Sequence, residues 1–343
     1  MKTFASDNFS TVDPRVMQYL NTINEGHETS YADDTVTALA TAELKKAFGE
    51  FKEAMYVTTG TAANILALKI LLAYRDDAVL TSNISHVCEE ETGALVATAG
   101  NQVLVLPHIG GKLTAQQIKD DVLMCRNLEF HTAQPRVVSI ANTTEFGTIY
   151  TPAEVRAIAD DCHELGMFLH MDGCRLPNAV AKLGVSLKEL TVVAGVDVLC
   201  FGGAKNGLMN AEAVIVFNAP TPTEKFRAYQ KQSLQLTSKM RYISGQFVPY
   251  MQEAIWLENA TLANDRAAEL QVGLAEFMDV QMTQPFESNQ LFLMIDPGLR
   301  KKLGESYQFY DWNTPGEVRL VCSWDTTSEE VQDFINILKG EKS

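Results

Sequence analysis

The apolar positions of the chain fall into short blocks that alternate between helical and extended spacing. Residues 38–48, 62–74, 89–99 and 114–125 read as helices, the last with Thr114 as its cap. Between them, 54–58, 78–81, 102–106, 136–140, 167–171 and 196–201 are short, mostly apolar runs that read as buried strands. Thr151-Pro152-Ala153-Glu154 is a capping box with proline at the first helical position. The helix it opens carries Val155, Ile158, Ala159 and Cys162 on one face, and Gly166 ends it. Such regular alternation predicts an α/β fold, a mostly parallel sheet with helices on both faces.

The pattern changes near Pro220. Residues 223–264 read as largely helical, with Pro249 as a kink or break. Residues 289–295 and 317–322 read as strands, and a cap at Thr326 to Glu329 opens a last helix over 331–339. The chain therefore divides into a large domain over residues 1–245 and a smaller C-terminal α+β domain over residues 246–343.

Composition narrows the function. Of 343 residues, 28 are Lys or Arg and 43 are Asp or Glu, a formal charge of -15. That balance argues against nucleic acid and anionic membranes as partners, while leaving room for a small anion in a local basic pocket. The longest apolar stretch, 62–74, is interrupted by Asn64 and Lys69, so no transmembrane helix is expected, and residues 1–10 hold no apolar run of leader length. The six cysteines are scattered with no Cys-x-x-Cys pair and read as reduced core residues of a cytoplasmic protein. His170 and Asp172 flank one residue, too little for a metal site, and no metal is expected.

Four stretches could carry chemistry. The run 196–201 ends in Gly202-Gly203-Ala204-Lys205, a lysine on a stiff strand-end mount, with glycines expected to leave room beside its amine. A desolvated lysine is a Schiff-base former; the plainer reading is a solvated loop lysine. Gly60-Thr61 stands between a strand and a helix, where free N–H groups can bind phosphate or simply form a cap. No Gly-x-Gly-x-x-Gly and no Walker lysine is present, which weighs against nicotinamide oxidoreductases and nucleotide enzymes. His86 follows the strand 78–81 and could stack on a planar group or move a proton. Asp172 ends the strand 167–171 and could hold a ring nitrogen protonated, with Arg175 free for a phenolate or carboxylate, or the two could be an internal ion pair. Phosphate cup, stacking ring, acid and lysine, on successive strand ends, are the groups that pyridoxal 5′-phosphate requires.

Two motifs, His170-Met171-Asp172-Gly173-Cys174-Arg175 and Phe201-Gly202-Gly203-Ala204-Lys205-Asn206-Gly207, make the resemblance specific. The chain resembles the low-specificity L-threonine aldolases, pyridoxal-phosphate enzymes of fold type I, the aspartate-aminotransferase-like fold. The resemblance runs nearly end to end. It implies that Lys205 bonds the cofactor, Asp172 pairs with its ring nitrogen, Gly60 and Thr61 hold its phosphate, and His86 stacks on it. It further implies that Ser6, Arg175 and Arg319 hold the substrate carboxylate. Tyr31 and Arg241 would reach a neighbouring copy's site in a homo-oligomer, a dimer or tetramer. The implied reaction is retro-aldol cleavage of L-threonine, L-allo-threonine and related β-hydroxy-α-amino acids to glycine and an aldehyde. Alternatives on the same cofactor are β-elimination, racemisation and serine–glycine interconversion; a non-catalytic binding protein is the alternative from another class.

The chain also departs from that pattern. Thr144 stands where many members have a histidine, within Thr144-Glu145-Phe146-Gly147-Thr148, and Cys174 replaces a small residue. The usual acidic run becomes Gly26-His27-Glu28-Thr29-Ser30-Tyr31-Ala32. The base is therefore open between His86, His27 and a bound water.

Overall fold

The structure is a computed structural model, and it describes residues 2–340. The chain starts with β1 (Lys2–Thr3), which pairs in parallel with the distant β11 (Tyr307–Gln308). A seven-stranded sheet follows, built from β2 (Glu53–Val57), β3 (Asp77–Ser82), β4 (Gln102–Leu106), β5 (Gln134–Ala141), β6 (Phe168–Gly173), β7 (Val198–Gly202) and β8 (Glu212–Val216). Its order is β2-β8-β7-β6-β5-β3-β4, and every pairing is parallel except the two made by β8. Six strands therefore point their carboxyl ends to one edge, and β8 brings its N-terminal residue, Glu212, to that same edge.

Strand alternation splits the core into two layers. Leu80, Ile140, Met171, Leu199, Phe201 and Ile215 face one cluster, which the helices Thr35–Phe48, Pro152–Glu164 and Leu176–Leu183 complete. Val79, Val137, Val198, Cys200 and Val214 face the other, covered by the helix Gly60–Leu71. Both sides of the sheet are dry, so its strands read as continuous apolar runs rather than as alternation.

A second, antiparallel sheet has the order β12 (Tyr310–Asp311), β13 (Glu317–Val321), β10 (Gln290–Ile295) and β9 (Val280–Met282). The helices Ile255–Leu274 and Ser328–Lys339 pack with it around Phe4, Leu293, Leu320 and Phe334. Phe4 is the tie between the ends of the chain: its N–H donates to Gln308 O and its carbonyl accepts from Val321 N.

Several local expectations need correction. The helix expected over 89–99 is two pieces, His86–Glu89 and Ala94–Ala99, because Thr92 (φ 53) and Gly93 (φ 67) turn left-handed between them. The region 223–264 is a string of helices, Phe226–Gln232, Arg241–Ser244, Phe247–Gln252 and Ile255–Leu274. Pro249 does not break it, since it sits in the first turn of Phe247–Gln252, where its N–H would have no helical partner; the break falls at Ala254 (φ 53). The last helix is capped one residue later than expected, by Thr327 and Glu330. Thr326 Oγ1 instead accepts from Ser323 N.

Candidate active site

A pocket opens at the carboxyl edge of the large sheet. Ala141, Thr143, Thr144 and Glu145 reach it from the end of β5, Asp172, Cys174 and Arg175 from β6, and Lys205 from β7. Ser6 and Asn8 come from the N-terminal segment, and Trp312 and Arg319 from the small sheet. Strand register sets the spacing: Ala141 lies opposite Asp172, and Asp172 opposite Cys200, so neighbouring strand ends present their groups at one level.

Lys205 sits in a single 3-10 turn, Ala204–Asn206, directly after β7. Asn206 anchors that turn, donating to Tyr250 Oη at 2.7 Å and Trp256 O at 2.8 Å. Lys205 itself is half-buried, and its amine has no hydrogen-bond or ion-pair partner among the described residues. The expected role of the two glycines is wrong. A Cβ on Gly202 would lie 2.5 Å from Cys174 Cα, and one on Gly203 would lie 2.3 Å from Leu208 Cδ1. Their missing side chains let the end of β7 pack against Cys174, Leu208 and Ala211.

Asp172 is buried, and each of its carboxylate oxygens accepts one hydrogen bond, which leaves acceptor capacity toward the pocket. Oδ2 accepts from Asn64 Nδ2 at 2.8 Å and Oδ1 from Cys174 N at 3.0 Å. Burial alone would push its pKa up, but the Asn64 hydrogen bond, the His86 charge and the Cys174 contacts outweigh it and hold the carboxyl below its usual range. Asn64 also donates to Glu91 Oε1 at 2.9 Å, and that oxygen lies 3.0 Å from His86 Nδ1. The Glu91 contact, with Asp172 nearby, raises the His86 pKa against the opposing effect of burial. One amide thus ties the acid to the histidine.

Asn64 stands one turn into the helix Gly60–Leu71. Thr59 caps that helix through Ala62 N, which leaves the N–H groups of Gly60 and Thr61 without an intrahelical partner. A Cβ on Gly60 would come within 3.1 Å of Cys174 Sγ, so glycine keeps the gap between this helix end and the β6 loop open.

Arg175 does not face the pocket as a free cation. It makes a two-point ion pair with Asp7, which is 1% exposed. Arg319 does: among the described residues it forms no ion pair, its Nε is buried without a partner, and one weak hydrogen bond runs to Ala5 O at 3.4 Å. Its guanidinium lies over the Trp312 ring, 4.5 Å from the centroid. Burial, with Arg175 close by, lowers its pKa to about 10, so it stays charged at neutral pH.

Of the expected residues, Ser6, His86, Asp172, Arg175, Lys205 and Arg319 line this one pocket. Gly60 and Thr61 lie beside it, across Cys174, rather than in its wall. Tyr31 and Arg241 lie elsewhere: Tyr31 is exposed beneath the Lys231 amine, and Arg241 lines a separate groove with His27 and Glu28. His27 is thus removed from this chain's pocket as a proton carrier. A broader groove along β2, lined by Thr41, Lys45, Tyr56 and Arg227, contains none of these groups. Sequence reasoning assigned no role to Asn64, Asp7, Glu145 or Glu212. Glu212 is buried, accepts from Gly203 N at 2.8 Å, and is pushed up by burial to about 7.

The family model described as "Beta-eliminating lyase" matches residues 3–296. The low specificity L-threonine aldolase of Pseudomonas sp. (strain NCIMB 10558) is 40% identical over 334 residues, covering 96% of this chain and 95% of that protein. The Saccharomyces cerevisiae protein of the same name is 24% identical over 309 residues, 88% of this chain and 77% of its own length. Among solved structures, the Leishmania major threonine aldolase superposes with a TM-score of 0.92 at 28% identity, covering 99% of both chains. That agreement makes the fold type I architecture a finding. The chain belongs to the beta-eliminating lyase family and, within it, to the low-specificity L-threonine aldolases.

Proposed function

We propose that this enzyme uses pyridoxal 5′-phosphate to cleave L-threonine, L-allo-threonine and related β-hydroxy-α-amino acids to glycine and an aldehyde. The observation that carries this reading is one pocket holding an unpartnered amine, Lys205, an ionised carboxylate, Asp172, and an unpaired guanidinium, Arg319.

The residues fit the cofactor's chemistry. Lys205 would hold it covalently, and Asp172, kept ionised by Asn64, would keep its ring nitrogen protonated. The free N–H groups of Gly60 and Thr61 would take its phosphate, in the gap that a side chain on Gly60 would close. His86, braced by Glu91, would cover the ring face. When bound, the cofactor supplies a sink for the electron pair left at Cα as the Cα–Cβ bond breaks.

The chain's own residues orient that bond. Arg319 would grip the substrate carboxylate, with the Ser6 hydroxyl beside it. Arg175, neutralised by Asp7, would position this wall more than bind charge. Tyr31 and Arg241 are left to serve a second copy's site, in a cytoplasmic homo-oligomer, a dimer or tetramer.

The visible absorption spectrum of protein loaded with pyridoxal phosphate tests this reading. Wild type is expected to be yellow and to shift its band on adding glycine, and Lys205→Ala to lack that band. A colourless wild type that takes up no pyridoxal phosphate would overturn it.

A further inference from the structure

Three ionisable groups of the pocket, Glu90, Cys174 and Glu145, have no role in the reading above, and Glu145 is the one set by a distinctive turn. Thr144 to Thr148 form a tight turn after β5: Thr144 N donates to Thr148 O, Gly147 N to Thr144 O, and the two threonine hydroxyls lie 2.7 Å apart. Thr144 is thereby buried and fully engaged. The turn also brings Glu145 to the pocket that Lys205 and Asp172 line. Its carboxylate is fixed rather than loose, since Oε1 accepts from His86 N at 2.8 Å.

The other polar groups of this wall are committed. Asp172 is held by Asn64 and Cys174, Arg175 by Asp7, and the His86 ring by Glu91 and, at 3.5 Å, Glu90. Arg319 is a cation and cannot accept a proton while charged, and Lys205 is the amine that would hold the cofactor. Glu145 is the remaining pocket carboxylate with no cation paired to it among the described residues. Its charged neighbours are Asp172, which disfavours its ionisation, and His86, which favours it, with Lys205 and Glu90 on the same pocket wall and buried Tyr150 behind.

We propose that Glu145 is the catalytic base that takes the proton from the substrate's β-hydroxyl. The proposal rests on the cleavage reaction inferred above. The carboxylate oxygen accepts the hydroxyl proton as the Cα–Cβ bond breaks. The β-oxygen then forms the carbonyl of the departing aldehyde, Cα keeps the electron pair of the broken bond, and a proton returned to Cα completes glycine. Burial supports this role, because it lifts Glu145 to about 7, where a carboxylate is strong enough to accept a proton near neutral pH.

The test compares Glu145→Gln with wild type, both loaded with pyridoxal phosphate. The variant is expected to lose at least about 100-fold in kcat/KM for L-threonine, the lower end for a general base. It should also lose the limb of the pH profile on which activity rises with a pKa near 7. Glycine binding and exchange of the glycine Cα proton into D2O need no β-hydroxyl, and should stay within threefold of wild type. In cofactor-free protein carrying carboxyl-labelled glutamate, two resonances, of Glu145 and Glu212, are expected to titrate near pH 7, and one of the two should be absent from the variant. A variant with near-wild-type cleavage and an unchanged limb would overturn the proposal. So would one that loses glycine binding and exchange along with cleavage, which is the mark of a structural role. Wild type that cleaves no threonine would instead sink the functional reading itself.

Discussion

Asp7 and Arg175 meet as a two-point ion pair, with Nε donating to Oδ2 at 2.7 Å and Nη2 to Oδ1 at 2.9 Å. The N-terminal segment is thereby locked to the loop after β6. Burial alone would raise the Asp7 pKa; Arg175, with help from Lys205 and Asn289, outweighs it and keeps the carboxyl below its usual range.

Removing one partner leaves a buried, uncompensated charge. Asp7→Ala is therefore expected to cost about 3–5 kcal/mol of stability, read from denaturant unfolding of the cofactor-free protein at neutral pH. The depressed pKa sets the pH dependence: the contribution is present above the unfolded value of 3.8 and is lost as pH falls through the lower folded value. The gap between wild type and variant should thus narrow under strong acid. A gap that is constant with pH would contradict the ion-pair account.

The same pair leaves Arg319 as the wall's available cation. Arg319→Met is expected to raise KM for L-threonine roughly 10- to 100-fold, the range for losing a charged hydrogen bond. Arg319→Lys should recover part of this, since it restores charge but not the two-pronged geometry. If Arg319→Met left KM unchanged, the carboxylate would have to be held elsewhere.

Glu212 makes a prediction of opposite sign. Its folded pKa is raised to about 7 from an ordinary 4.5, with burial the main cause and the Gly203 N–H and Lys205 opposing it. The folded state therefore binds more protons between these values, and stability contributed by this group is present below 4.5 and lost as pH rises through 7. Glu212→Gln should remove that component, so the stability of the variant relative to wild type improves from pH 5 to pH 8. Thermal midpoints of both proteins across this range check it, and parallel curves would contradict it.

How much of this was legible in the sequence depended on whether a residue's role was local. Lys205 and Asp172 were legible because each ends a strand, and strand ends at one sheet edge converge whatever the rest of the fold does. Asp7 was not, because its partner Arg175 lies 168 positions away and only folding brings the two together. Asn64 was read as an interruption of an apolar helix, yet it is the shared donor between Asp172 and Glu91. Strand β8 was passed over because a five-residue run without alternation or flanking caps gives little signal, although its burial on both faces accounts for that composition. Gly202 and Gly203 were placed correctly but for the wrong reason: their missing side chains make room for Cys174 and Leu208. Glu145 is legible only as part of a turn, and nothing local shows that the turn ties up the Thr144 hydroxyl and brings the next side chain to the pocket.

The most direct test of the central claim is the product balance from L-threonine. Wild type loaded with pyridoxal phosphate is expected to release glycine and acetaldehyde in equal amounts, and Lys205→Ala to release neither above background. Formation of 2-oxobutanoate and ammonia instead would show that the bond broken is Cβ–O rather than Cα–Cβ, and would contradict the aldolase account.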